Sequence, residues 1–193
     1  FNSMFIQTEN TPNPSTLKFI PEKNILKKGN FEFKSKSEAK ISPLAMKLFE
    51  NEDVKNVFFG IDFITITKSE AIDWEIIKPD ILSKIMNFFS SGLPVINEGD
   101  ISEDNDSSEK EVYNKKDLKI VEHIKELLEE KIRPAVAQDG GDIRFVKFED
   151  YIVFLELRGS CAGCPSSTLT LKSGIENMLK YYIPEIKSVE AVN

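Results

Sequence analysis

The sequence predicts an α+β chain made of two small α+β domains joined by an acidic flexible linker, and three observations carry that prediction. The composition breaks once: residues 97–116 read NEGDISEDNDSSEKEVYNKK, acidic and serine-rich with hardly an apolar side chain. Such a segment buries too little surface to offset the entropy of ordering it, and its own charge extends it. The flanking blocks, 4–96 and 117–193, are each of ordinary small-domain size. Within each block, runs rich in β-branched and aromatic residues are interleaved with stretches of helical periodicity.

In the first block, TPNPSTLKFIPEKNIL (11–26) is punctuated by Pro12, Pro14 and Pro21, so its start reads as an extended loop leading into a strand. SPLAMKLFE reads as a short helix with Ser42 as N-cap and Pro43 at its first position. VKNVFFGIDFITITK (54–68) reads as two strands around Gly60-Ile61-Asp62. DWEIIKPDILSKIMNFFSSG supplies a last helix, with Ile81, Leu82, Ile85, Phe88 and Phe89 at helical spacing and Gly92 as its stop. No ligand cluster or titratable pair stands at a useful spacing here.

In the second block a long helix is expected from Asp117, with Leu118, Val121, Ile124, Leu127, Leu128 and Ile132 as its apolar stripe. Pro134 should bend that helix or end its regular part. Asp139-Gly140-Gly141-Asp142 then turns the chain, its glycines permitting positive φ. Ile143–Phe148 and Tyr151–Leu157 follow as a hairpin around Glu149-Asp150. After a cysteine loop comes a second helix, with Leu171, Ile175, Met178, Leu179 and Tyr182 on one face. Pro184 ends it, and IKSVEAV closes as a strand.

Composition narrows the function. At 40% apolar and 30% charged, the 193 residues have the profile of a soluble globular protein. A net charge of -7 argues against general nucleic-acid binding, and no apolar run approaches a membrane span. The opening FNSMFIQTEN resembles neither a signal peptide nor an arginine-rich transit sequence, and Phe1 to Ser3 read as a cloning remnant ahead of a native Met4. The expected setting is a bacterial cytoplasm, or the mitochondrial matrix for an organellar protein already processed. Nothing points to an enzyme: there is no GxxxxGK phosphate loop and no nucleophile–base–orienter set.

The chemistry concentrates in LRGSCAGCPSS (157–167), which holds both cysteines, Cys161 and Cys164. Pro165 disfavours helix at Cys164, so the pair belongs to a strand-to-helix loop. Ala162 and Gly163 leave room for a bulky ligand, and the helix N-terminus favours thiolate, the form that binds metal. Arg158 could add positive potential or simply be solvated. A disulfide would close only a tiny loop and would open in a reducing compartment. A thioredoxin-like dithiol also sits between strand and helix, but the chain after this helix is too short for the rest of that fold. Zinc and iron–sulfur clusters want about four thiolate or imidazole ligands. The single histidine, His123, lies mid-helix and reads as solvated or packed. One protomer therefore supplies half a site, and two protomers facing each other supply four thiolates around a two-fold axis. An exposed half-site of this kind suits a carrier, although ligand count alone does not choose iron over zinc.

At these residues the chain resembles a known family. DGGDIRFV followed by GSCAGCPSSTLTLKSGIE resembles the C-terminal domain of the NifU-like (Nfu) iron–sulfur cluster scaffold and carrier proteins. MFIQTENTPNPSTLKF, SPLA, VFFGIDFITITK and DW resemble the N-terminal domain of the Nfu type shared by mitochondria and related bacteria. The resemblance implies that Cys161 and Cys164 hold a 4Fe-4S cluster between two protomers. It also implies exchange with iron–sulfur assembly factors and delivery to apo-proteins, with lipoyl synthase and respiratory-complex subunits as clients. The N-terminal domain is expected to recognise clients or modulate delivery. DGGDI is assigned a turn and helix-stop role rather than ligation.

Overall fold

The computed structural model describes residues 4–100, 112–162 and 165–192, with the backbone alone at 100 and 165–167. Most of the segment read as a flexible linker, residues 101–111, lies outside the described residues. The chain is α+β in two compact units, Phe1–Glu103 and Asp104–Asn193. Among the described residues, no helix is long and apolar enough to cross a membrane.

The first unit is one antiparallel sheet with helices on one face. Strands β1 (Ile6–Asn10), β2 (Thr16–Pro21), β3 (Phe31–Phe33), β4 (Val54–Phe59) and β5 (Ile64–Lys68) lie in the order β1-β2-β5-β4-β3. Register places Phe19 beside Ile64 and Ile64 beside Phe59, with Leu17, Ile66 and Val57 in the adjacent row. All six are core residues, because side chains opposite one another in a ladder share a face. Helices α1 (Pro43–Leu48) and α2 (Trp74–Ser91) cover that face through Leu44, Leu48, Ile77, Ile81, Ile85 and Phe88.

Local rules account for the ends of these elements. Ser42 Oγ accepts from the Ala45 N–H at 3.0 Å, as an N-cap should, and donates to the Val95 carbonyl at 2.7 Å. Gly92 ends α2 in the left-handed region. The proline-rich loop before β2 is held from a distance: Trp74 Nε1 donates to the Pro14 carbonyl at 3.1 Å, and the indole meets Phe19 edge-on. Two strands were not foreseen. β1 is a half-exposed edge strand that needs its pairing with β2, and β3 is three residues long.

The second unit is also two-layered. Helix α3 (Lys115–Leu127) passes through a widened π-type turn at Leu128–Ile132 into α4 (Arg133–Gln138). The turn precedes Pro134, whose missing N–H and bulky ring prevent regular pairing with the preceding turn. The helix starts at Lys115 rather than Asp117, because Asn114 caps it by accepting from the Asp117 N–H at 2.8 Å. The apolar stripe is displaced too: Leu118 is 44% exposed, and Ile120 takes its place in the core.

Strands β6 (Gly141–Glu149) and β7 (Ile152–Gly159) form an antiparallel hairpin, and β8 (Ser188–Val192) joins β7 in parallel, giving the order β6-β7-β8. The hairpin turn is Asp150-Tyr151, one residue later than expected. Both residues have positive φ, the conformation that lets a two-residue turn follow the strand twist. Helix α5 (Pro165–Tyr182) carries the chain from β7 to β8 and buries Ile175 and Leu179 against Ile143, Leu155 and Leu157. Tyr182, expected on that inner face, is 41% exposed.

Candidate functional site

The cysteine loop leaves the end of the central strand β7 and enters α5 at Pro165, as the sequence predicts. Gly159 takes positive φ and turns the chain out of the sheet. The Cys161 N–H then donates to the Arg158 carbonyl at 3.3 Å, and the Ala162 N–H to the Gly159 carbonyl at 3.1 Å. From the far side, Thr168 Oγ1 donates to the Cys161 carbonyl at 3.0 Å, tying the loop to α5. Cys164 lies outside the described residues, so the placement of the second sulfur is not among them.

The structure brings the two sequence motifs of this unit together. Ser160, itself buried, donates from its backbone N–H to the Gly140 carbonyl at 3.2 Å and from its hydroxyl to the Asp139 carbonyl. The Asp139–Asp142 turn is therefore one wall of the cysteine loop. Its two glycines differ in purpose. Gly140, at φ +80°, ends α4 as expected. Gly141 is already the first residue of β6, and a Cβ there would sit 2.8 Å from the Arg158 carbonyl, 3.2 Å from the Cys161 nitrogen and closer still to Cys161 Sγ. Gly141 is required by close approach, not by a turn. This corrects the turn-and-stop reading of the whole motif. A pair of glycines where one ends the helix was the signal in the sequence.

Cys161 itself is 6% exposed and belongs to the apolar core of its unit. The expectation of an exposed loop thus fails at this residue: its side chain turns inward over Gly141. The flanking charges are organised rather than free. Asp142, 5% exposed, accepts from Arg133 Nε at 2.9 Å and from Nη2 at 3.1 Å, while Glu129 takes Nη1. The Asp142 hydrogen bonds, more than burial opposes, hold the Arg133 guanidinium above its usual range. Arg158 pairs with Glu156 at 3.2 Å, so its charge is engaged on the strand. Burial, then the nearby Arg158 charge, pulls Arg144 below its usual range. His123 is exposed on α3, and among the described residues no three His, Cys, Asp or Glu side chains lie together as a metal site.

Comparisons with known proteins match both halves of the chain. Residues 6–92 match the family described as "Scaffold protein Nfu/NifU N terminal", and residues 124–190 match the "NifU-like domain". The human protein named "NFU1 iron-sulfur cluster scaffold homolog, mitochondrial" is 52% identical over 190 residues, covering 98% of this chain and 72% of its own length. The Drosophila virilis protein of the same name is 53% identical over 191 residues, covering 98% of this chain and 62% of its own. This chain thus spans less than two thirds of that fly relative. The solution structure of a NifU-like protein from Saccharomyces cerevisiae overlays 49% of this chain and 86% of its own at TM-score 0.45 and 28% identity. With both domains present in order and half of all residues shared with those relatives, the chain belongs to the Nfu family of iron–sulfur cluster scaffold proteins.

Proposed function

We propose that this protein receives a 4Fe-4S cluster as cargo, holds it between two protomers through Cys161 and Cys164 of each, and passes it to apo-proteins without catalysing a reaction of its own. The carrying observation is the family match together with the position of Cys161, anchored through its backbone in a loop between β7 and α5. Its carbonyl accepts from Thr168 of α5 and its N–H donates to the Arg158 carbonyl of β7, so the backbone that carries the thiol is fixed at the joint of strand and helix. In the sequence both cysteines directly precede Pro165, the first residue of α5, and the backbone N–H groups of a helix N-terminus favour thiolate. Two thiolates per chain fall short of the about four that a cluster requires, and a second copy supplies the remainder.

In this reading the cargo is exchanged with iron–sulfur assembly factors on one side and clients such as lipoyl synthase on the other. The setting is the mitochondrial matrix, in keeping with the relatives' names. Residues 4–96 serve as the Nfu-type domain, 97–116 as the linker and 117–193 as the cluster-binding domain.

The test is anaerobic reconstitution of the full chain with iron and sulfide, followed by iron, sulfide and absolute-mass determination on one sample. The expected result is about two irons and two sulfides per chain in a dimer, lost in Cys161→Ser and in Cys164→Ser. Retention of cluster by both variants would overturn the assignment. A colourless dimer holding about half a zinc per chain would replace it with a zinc-bridged module.

A further inference from the structure

The three-stranded sheet of the second unit has two outer edges, and each is met by a side chain from another element. On β6, the Phe148 N–H donates to the Tyr113 hydroxyl at 3.2 Å, and α4 lies against the strand through Arg133 and Asp142. On β8, the Val189 N–H donates to Glu176 of α5 at 3.1 Å. Successive N–H groups of a strand point to opposite sides, so one that goes to a side chain rather than to β7 lies on the open side. Ala191, two residues on, shares that side with Val189.

Glu176 is held in place for this contact. Its Oε1 accepts from Lys180 Nζ at 2.9 Å while Oε2 takes the Val189 N–H. Lys172, one turn earlier on α5, reaches Glu190 at 3.0 Å and ties the helix to the same strand. An unpaired edge is a template for another strand, and proteins close such edges with lysine, proline, a bulge or a covering element. β8, SVEAV, has no lysine and no proline, and its register with β7 runs without a shift. Two of its five residues are valine, which favours pairing. Its protection comes from α5.

We propose that Glu176 guards this edge: by occupying the Val189 N–H it keeps β8 from pairing with the β8 of a second copy. A second copy is the strand excluded because its edge is identical. Two such edges run antiparallel across a two-fold axis, each offering the donors and acceptors that the other needs. Glu190, the one charge on the strand, is taken up by Lys172 and opposes that contact only weakly. The guard does not depend on the shared-cluster reading, and the metal-free chain tests it. It bears on that reading in one way: protomers tethered by a shared cargo meet at high effective concentration, and a guarded edge leaves them free to part.

The experiment sizes the full chain by absolute mass over a range of concentrations, free of iron and with its thiols reduced. The samples are the wild type, Glu176→Gln, Glu176→Ala and the double variant Glu176→Ala/Ala191→Lys. Glu176→Gln keeps an acceptor oxygen for the Val189 N–H and should match the wild type. Glu176→Ala should self-associate at least tenfold more strongly, and its Val189 amide should exchange fast when dilute and slowly once associated. Ala191 is exposed, so Ala191→Lys sets like charges on both edges without entering the core and should return the double variant to wild-type behaviour. Association through a partly unfolded chain would not respond to that lysine. Equal self-association of wild type and Glu176→Ala, or an association of Glu176→Ala that Ala191→Lys leaves in place, would overturn the guard.

Discussion

Gly141 and Cys161, twenty residues apart in the chain, lie so close that no side chain fits between the strand and the sulfur. Gly141→Ala should therefore push the loop outward at a cost of about 2 kcal/mol, the usual penalty for overpacking a filled site. In a Cys164→Ser background, so that only one thiol reports, alkylation of Cys161 should be slow in the parent and at least tenfold faster after Gly141→Ala. Equal rates would show that Gly141 does not hold the thiol inward.

Arg133 and Asp142 join α4 to β6 beneath the loop by a two-pronged ion pair on a buried carboxylate. Arg133→Met removes both of its hydrogen bonds to that carboxylate and should destabilise the second unit by about 2 kcal/mol, discounted for the partial exposure of the arginine. Arg158→Met, which breaks a single hydrogen-bonded, partly buried pair within one strand, should cost less, about 1 kcal/mol. Denaturant titration followed by tyrosine absorbance compares them, since all four tyrosines lie in the second unit.

Ser42→Ala removes two hydrogen bonds at once, the cap on α1 and the tie to Val95, at a fully buried position. A loss of about 2 kcal/mol is expected in the first unit. The single tryptophan, Trp74, belongs to that unit, so its fluorescence follows this transition directly. An unchanged midpoint would mean that water replaces both bonds.

Glu176 holds β8 to α5 by accepting from the Val189 N–H, and the Lys180 hydrogen bond, then that backbone bond, lowers its pKa. A carboxyl with a lowered folded pKa contributes stability above its unfolded value and loses it as pH falls through the folded value. Protection of the Val189 amide, corrected for intrinsic exchange, should thus be constant near neutrality and decline in the acid range below the ordinary glutamate pKa. Glu176→Gln should flatten that decline.

The elements that could be read from the chain are those with a strong local signal. Ser42-Pro43 announced α1, Gly92 closed α2, and the β-branched runs of 54–68 paired as strands. Where local signals are weak or compete, packing decided. Leu118 and Ile120 are both apolar and near one helix end, and only the direction of the core settles which is buried. β1 has no stability of its own and exists as a strand because β2 offers it an edge.

The sequence alone determined the two-domain α+β class, the family and the strand-to-helix position of the loop that starts at Cys161, because each depends on composition, local chemistry or the order of residues. Only the tertiary structure decided that Asp139–Asp142 forms a wall of the cysteine loop, that Gly141 makes space for Cys161, and that this thiol faces the core. Those are contacts between segments about twenty residues apart. They arise from β6 pairing with β7, a non-local register that no window of sequence contains.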